Sequence, residues 1–329
     1  MNKICVSLLA LAGLGATPVS ARERIFPVAD KPVLEDRYPE RINHFPGGVT
    51  GHADVVYSVL PGYRPLIVDI YTPPKSVRPK PLILYIHGGG WLMGHTRHSG
   101  ALTDFPNVLA RLASEGFVVA SLEYRLSGEA PFPAQIQDAR AALRFLKGHA
   151  ARYGIDPQRV GLWGGSAGGH LTALAALSCG YRGFDVDKNA PQGSECVQAA
   201  VTWYGVFDMA PLMARQSTNP KVGYAENQFL HCQPATCPAE RIAEASPVSY
   251  IHKGNPPFLM IHGEADTTVP VAQSKEAEAR MRAAGVPVKA IYIPGVNHSF
   301  IGSSPAQTRA ATLLATNATF DFFHQVLDK

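Results

Sequence analysis

The chain has 329 residues, 46% of them hydrophobic and 17% charged, with a formal net charge of +4. That balance describes a globular protein long enough to bury a large core, as one big α/β domain or two smaller ones. The basic residues form no run, which removes the electrostatic case for a nucleic acid or an anionic membrane as partner.

The chain opens MNKICVSLLALAGLGATPVSA. Lys3 supplies a positive end, Cys5 to Gly15 is apolar, and Val19-Ser20-Ala21 is a small-residue cleavage site. These features predict a signal peptide over 1–21 and an exported protein, periplasmic or secreted. The apolar run is too short to span a bilayer comfortably, and no later run approaches spanning length, so no membrane association is expected after cleavage. Export removes Cys5 and leaves Cys179, Cys196, Cys232 and Cys237 in an oxidising compartment. More than one connectivity is open to four cysteines. Cys179–Cys196 and Cys232–Cys237 are favoured because both pairs are local in sequence. No CxxC or paired-histidine spacing accompanies them, so a zinc site is not expected.

Residues 22–50 are rich in Pro, Arg and Gly and read as an irregular leader, with the remaining domain at 51–329. Val55 to Leu60 and Leu66 to Tyr71 read as strands around the Pro61-Gly62 turn, an antiparallel pair. Leu82 to Ile86 and Phe117 to Ala120 are continuous apolar runs, as expected of strands buried on both faces of a parallel sheet. Ile136, Ala139, Leu143 and Leu146 mark one face of a helix. Val160 to Trp163 is a strand, Leu171 to Leu177 continues a helix, and Ala199 to Tyr204 is another strand. Residues 209–250 are long, polar and irregular and read as a cap-like insertion over one edge of the sheet. Phe258 to Ile261 and Ala290 to Ile293 are the last strands, with a helix from Ala272 to Ala284 between them and a closing helix from Pro305 to Leu327. Such alternation predicts a mostly parallel, doubly wound α/β sheet.

Gly164-Gly165-Ser166-Ala167-Gly168 has the form G-x-S-x-G between a strand and a helix. In a nucleophile elbow the serine takes strained backbone angles, and the residues two positions away must be small because strand and helix nearly touch. A flexible glycine loop is the plainer alternative, and the strand-then-helix context favours the elbow. A phosphate-binding loop is not supported, since G-x-x-x-x-G-K-[ST] is absent. A second glycine run, His87-Gly88-Gly89-Gly90-Trp91, follows the Leu82–Ile86 strand. Backbone N–H groups of Gly88 and Gly89, with Ala167 after the serine, suit an oxyanion hole. His87 reads as a structural residue that holds the loop. A serine also needs a base and an orienting acid, in the chain order serine, acid, histidine. Asp266 and His298 lie just past the ends of successive strands, at the edge that Ser166 also leaves. Rivals are Glu264 and Asp208 for the acid, and His170 and His324 for the base.

These motifs, together with Glu123-Tyr124-Arg125-Leu126, Gly169-His170, Gly263-Glu264-Ala265-Asp266 and Asn297-His298, resemble the esterase branch of the α/β-hydrolase superfamily. The likeness covers roughly residues 50–327 and is strongest to hormone-sensitive-lipase-type esterases and to feruloyl and acetylxylan esterase-like hydrolases. It implies that Ser166 attacks, His298 moves the proton and Asp266 orients the imidazole. It implies that Gly88, Gly89 and Ala167 form the oxyanion hole, and that no metal or organic cofactor takes part. One departure is the leader, which lacks the helical period of an N-terminal cap, so the 209–250 insertion stands where a lid would. Its polar character and its Tyr224 and Phe229 suit short-chain or aromatic esters, with carbohydrate-linked esters included. Glu123, Arg125 and Asp138 are expected to form a structural charge network. A prolyl-oligopeptidase-type peptidase shares this triad but comes with a large gating domain, for which the chain has no spare length. A non-catalytic binding module on the same fold would carry a broken triad. Oligomeric state is not legible.

Overall fold

A computed structural model describes residues 41–74, 77–185, 195–218 and 223–328. The expected signal peptide, 1–21, and leader residues 22–40 lie outside the described residues. Strand β1, Arg41–Phe45, turns through Pro46-Gly47-Gly48 into β2, Val49–Ser58, with Phe45 opposite Val49. Gly47 and Gly48 both have φ +74°, a left-handed conformation that glycine adopts without steric cost. This corrects the leader boundary, because residues 41–50 belong to the sheet. The reason is physical: four of the five β1 residues are exposed, so the strand carries no apolar alternation to read.

β3, Leu66–Thr72, pairs antiparallel with β2, in agreement with the turn signal at Pro61-Gly62. The sheet continues with β4 (Lys80–Ile86), β5 (Val118–Leu122), β6 (Ile155–Gly165), β7 (Ala199–Trp203), β8 (Phe258–Gly263) and β9 (Val288–Ile293). Among the described residues the strand order is β1-β2-β3-β5-β4-β6-β7-β8-β9. β3 meets β5 antiparallel, and every pairing from β5 to β9 is parallel. β5, β7 and β8 are buried at every position, in keeping with their mostly apolar sequences, which only Ser121, Thr202 and His262 interrupt.

Helices cover both faces. α1 (Phe105–Ser114), an addition to the expected elements, is capped by the Asp104 carboxylate accepting from Asn107 N–H. It is followed by α2 (Ala134–Gly148), the short α3 (Ala150–Tyr153) and α4 (Ala167–Leu177). Leu82, Leu84 and Ile86 of β4 pack in one apolar layer with Ile136, Leu143 and Leu171. Ile83 and Tyr85, pointing the other way, pack with Leu109, Leu112 and Phe323. The two layers thus follow from the period-two alternation of one strand.

The 209–250 segment departs from its expected irregularity. It is helical in short pieces: α5 (Met209–Thr218), α6 (Tyr224–Leu230) and α7 (Ala239–Glu244). α6 and α7 span only two turns or fewer, too few for a 3.6-residue period to show in sequence. A disulfide, Cys232–Cys237, closes the loop between α6 and α7, and a second, Cys179–Cys196, ties the end of α4 to the approach of β7. α8 (Ala272–Ala283) joins β8 to β9, and α9 (Pro305–Leu327) closes the fold. Among the described residues no helix is long and apolar enough to cross a membrane.

The expected charge network divides in two. Arg125 and Asp138 form a buried bidentate pair, with contacts of 2.7 and 2.9 Å. Glu123 instead accepts from Arg64 at 2.6 Å.

Candidate active site

Ser166 sits at the junction of β6 and α4 with φ 57° and ψ −123°, angles that strain any side-chain-bearing residue. The flanking glycines follow from close approach. A Cβ on Gly164 would lie 2.4 Å from the Gly168 carbonyl oxygen, and one on Gly168 would lie 2.0 Å from the Ile86 carbonyl oxygen. Strand, helix and the neighbouring strand end therefore touch through backbone alone. Ser166 N–H donates to the Trp203 carbonyl at 2.9 Å, and the Ser166 carbonyl accepts from His170 N–H at 2.9 Å, so both sides of the turn are anchored.

The turns after β8 and β9 bring two further side chains to this point. The Ser166 hydroxyl lies 3.0 Å from His298 Nε2, and His298 Nδ1 lies 2.8 Å from Asp266 Oδ2. Asp266 Oδ1 accepts from the N–H groups of Thr268 and Val269, each at 2.9 Å. Tyr204 packs its ring 4.6 Å from that of His298. Burial alone would raise the Asp266 pKa, but hydrogen bonds from His262 and His298 outweigh it and draw the carboxyl down to about 2.

This shift carries a sign. A carboxyl depressed by folding contributes stability that is complete above its unfolded pKa, about 4. The contribution is lost as pH falls toward the folded value of about 2. Urea unfolding of wild-type protein and Asp266→Asn should therefore differ by roughly 2 kcal/mol near neutrality. The gap should narrow as pH drops below about 4. A gap that stays constant through that range would show that the carboxylate charge is not what the site stabilises.

The rivals stand elsewhere. Glu264 pairs with Lys275 at 3.2 Å on the surface, and Asp208 faces Arg280 at 3.7 Å. His324 lies between Asp328 and Glu115 at the other end of the fold. His170 is fully buried, accepting from Trp91 Nε1 at 3.2 Å and donating from Nε2 to the Ala245 carbonyl at 2.7 Å. Burial pushes its pKa down to about 4, so it is a neutral packing residue.

The His87–Trp91 loop forms the facing wall. A Cβ on Gly88 would lie 2.8 Å from the Gly165 carbonyl and 3.3 Å from Ser166 Cβ, so the loop backbone abuts the serine. Ala167, the first residue of α4, has an N–H with no intrahelical acceptor. His87 donates from Nδ1 to the Gly88 carbonyl at 2.8 Å and stacks on Tyr124 at 4.3 Å. Burial lowers its pKa to about 4. It braces the loop as a neutral ring.

The insertion packs against the back of this loop. Trp91 is buried between His170 and Phe229, which stacks on it at 4.5 Å. Phe229 is fully buried, which corrects the expectation that it faces a substrate. Tyr224, at the start of α6, is 66% exposed. Between the walls lies a cavity of about 550 Å³ lined in part by Gly88, Gly89, Ser166, His298, His95 and His98. Among the described residues no three His, Cys, Asp or Glu side chains gather in a way that could hold a metal ion.

One functional candidate escaped the sequence reading. His262, the penultimate residue of β8, is fully buried and touches Asp266. Its signal was faint, because a histidine inside an apolar strand reads as packing.

A parallel sheet from β5 to β9, covered on both faces and edged by an antiparallel hairpin, with its nucleophile-type elbow after β6, is the α/β-hydrolase fold. The chain belongs to the BD-FAE family, whose model matches residues 68–281. It is 31% identical to Esterase LipQ of Mycobacterium tuberculosis over 85% of this chain and 64% of that protein. It is 33% identical to the probable carboxylic ester hydrolase LipM of the same organism, over 69% of this chain and 51% of that one. The chain thus spans about half to two thirds of the length of these curated relatives. Among solved structures, a truncated carbohydrate esterase from gut microbiota matches with TM-score 0.67 and 28% identity, over 85% of this chain and 96% of that one. The resemblance to the esterase branch of the superfamily holds at the level of family and fold.

Proposed function

We propose that the chain is an exported serine carboxylic ester hydrolase that works through an acyl-enzyme. The observation that carries this reading is the unbroken relay from Ser166 Oγ to His298 to Asp266, at 3.0 and 2.8 Å, on the floor of a cavity walled by the Gly88–Gly90 loop. Ser166 Oγ attacks the ester carbonyl carbon while its proton passes to His298 Nε2. The imidazolium so formed is stabilised by Asp266, which is already ionised. Negative charge on the former carbonyl oxygen is met by the N–H groups of Gly88, Gly89 and Ala167, where losing one donor costs about 3 kcal/mol of barrier. The α4 dipole points the same way. Collapse of the tetrahedral species breaks the carbon–oxygen bond, and the departing alcohol takes the proton from His298 Nε2. Water, deprotonated by His298, then releases the carboxylic acid and restores Ser166.

Short-chain or aromatic esters, including carbohydrate-linked ones, are the substrates this cavity suits. Its wall offers the imidazoles of His95 and His98, the Ser99 hydroxyl and the Tyr204 ring, and a volume of about 550 Å³ matches a compact ligand better than a long acyl chain. The two disulfides fit an oxidising compartment. The test compares p-nitrophenyl acetate, methyl ferulate, acetylated xylan and a long-chain triglyceride under matched conditions. The expected ranking puts the acetyl and aromatic esters well above the emulsified triglyceride. Preference for the triglyceride would make the protein a lipase instead.

A further inference from the structure

His262 is fully buried, yet the reaction above assigns it nothing. Its Nε2 lies 2.9 Å from the Val269 carbonyl oxygen and 3.2 Å from Asp266 Oδ2. Its Nδ1 lies 2.7 Å from Ser274 Oγ. A carbonyl oxygen only accepts, so Nε2 carries the proton and Nδ1 takes the Ser274 hydroxyl. The Nε2–H is thus shared between Val269 and the carboxylate. The oxygen it reaches, Oδ2, is the one that accepts from His298 Nδ1. Val269 closes the circuit, since its own N–H donates to Asp266 Oδ1. Both carboxylate oxygens are therefore held from two directions, and His262 is the only one of the four donors that is a side chain outside the triad.

We infer that His262 is a positioning residue for ester hydrolysis: it pins Asp266 Oδ2 toward His298 and shares the negative charge there. The inference rests on the triad reading above. Two effects follow when the donor is removed. Oδ2 gains freedom to rotate away from His298, so the relay is populated less often. The carboxylate charge is also less shared, so it stabilises the His298 imidazolium more, and the acid limb of the pH–rate profile moves up. Other titratable groups facing this pair are Tyr204, packed against His298 with its ionisation pushed up by burial, and His87, His95 and His98 on the cavity wall. None of these is altered by a change at His262.

The test measures kcat, KM and the pH profile of kcat/KM on a p-nitrophenyl ester, with thermal melting as a check of folding. His262→Asn keeps a polar group near Ser274 but ends short of Asp266. It should lower kcat by roughly 10- to 100-fold with KM changed less than about 3-fold. Its acid limb should rise by several tenths of a pH unit. His262→Gln, long enough to present an N–H to Oδ2, should recover most of kcat and the wild-type limb. His262→Leu gives the same comparison if the Asn variant does not fold. A folded Asn or Leu variant with wild-type kcat and an unmoved limb would overturn the inference. So would equal losses in the Asn and Gln variants with no limb shift. Ser166→Ala is assayed beside them. Activity surviving there would defeat the triad reading itself, whereas its loss alongside unaffected His262 variants defeats this inference alone.

Discussion

Replacing Ser166 with alanine should lower ester turnover by at least about 10⁴-fold while leaving KM for any residual activity near wild type. The expectation comes from geometry. Ser166 Oγ lies 3.0 Å from His298 Nε2, on a backbone at φ 57° anchored by bonds to Trp203 and His170. Alanine fits the same turn, since its Cβ occupies the position of the serine Cβ, so the fold should survive with unchanged melting. Loss of activity then reports the missing oxygen and nothing else. Asp266→Asn should follow with a loss on the order of 10⁴ in kcat, because a neutral amide no longer stabilises the imidazolium. Retention of more than a few per cent of turnover in Ser166→Ala would place the nucleophile on another residue.

Gly168→Ala should be among the most damaging single-methyl changes at the described glycines. The added Cβ would stand 2.0 Å from the Ile86 carbonyl oxygen and 2.6 Å from that of His87. Both obstacles are backbone, at the end of a fully buried stretch of β4, and neither can rotate away as a side chain would. Relief requires α4 to lift from the sheet, which separates Ser166 from Gly88 and opens the packing around Leu171. Overpacking of this kind costs typically 1–3 kcal/mol, and more where backbone meets backbone, so a loss above about 3 kcal/mol is expected. Urea unfolding measures it, and turnover should fall in parallel. Gly128→Ala is the control, since a Cβ there meets nothing within 4 Å. Equal stability in the two variants would mean that strand and helix are not in backbone contact at the elbow.

The site was legible in the sequence to the extent that chemistry restricts residue type. An elbow serine requires small neighbours, an oxyanion loop requires approachable backbone, and the acid and base must leave the same sheet edge. Ser166, Asp266 and His298, which the structure brings within hydrogen-bond reach of one another, could be picked out on those grounds as a candidate triad. His262 could not, because what identifies it is a contact across the 266–269 turn, and nothing in the order of residues reports that contact. β1 was hidden because its residues are exposed on both faces. The helices α6 and α7 of the insertion were hidden because two turns or fewer carry too little periodicity. Phe229 was misjudged for a related reason. An aromatic in a polar insertion has two destinations, and the Trp91 ring that buries it lies 138 positions earlier in the chain. Elements defined by local pattern were readable, and those defined by a distant partner were not.

The role of Ser166 as the nucleophile of an ester hydrolase is tested most directly by reacting the protein with an organophosphate ester, measuring intact mass and mapping the modified peptide. A single adduct on Ser166, absent from Ser166→Ala and slowed in His298→Ala, is the predicted result. An adduct on any other residue, or one that persists in Ser166→Ala, would contradict it.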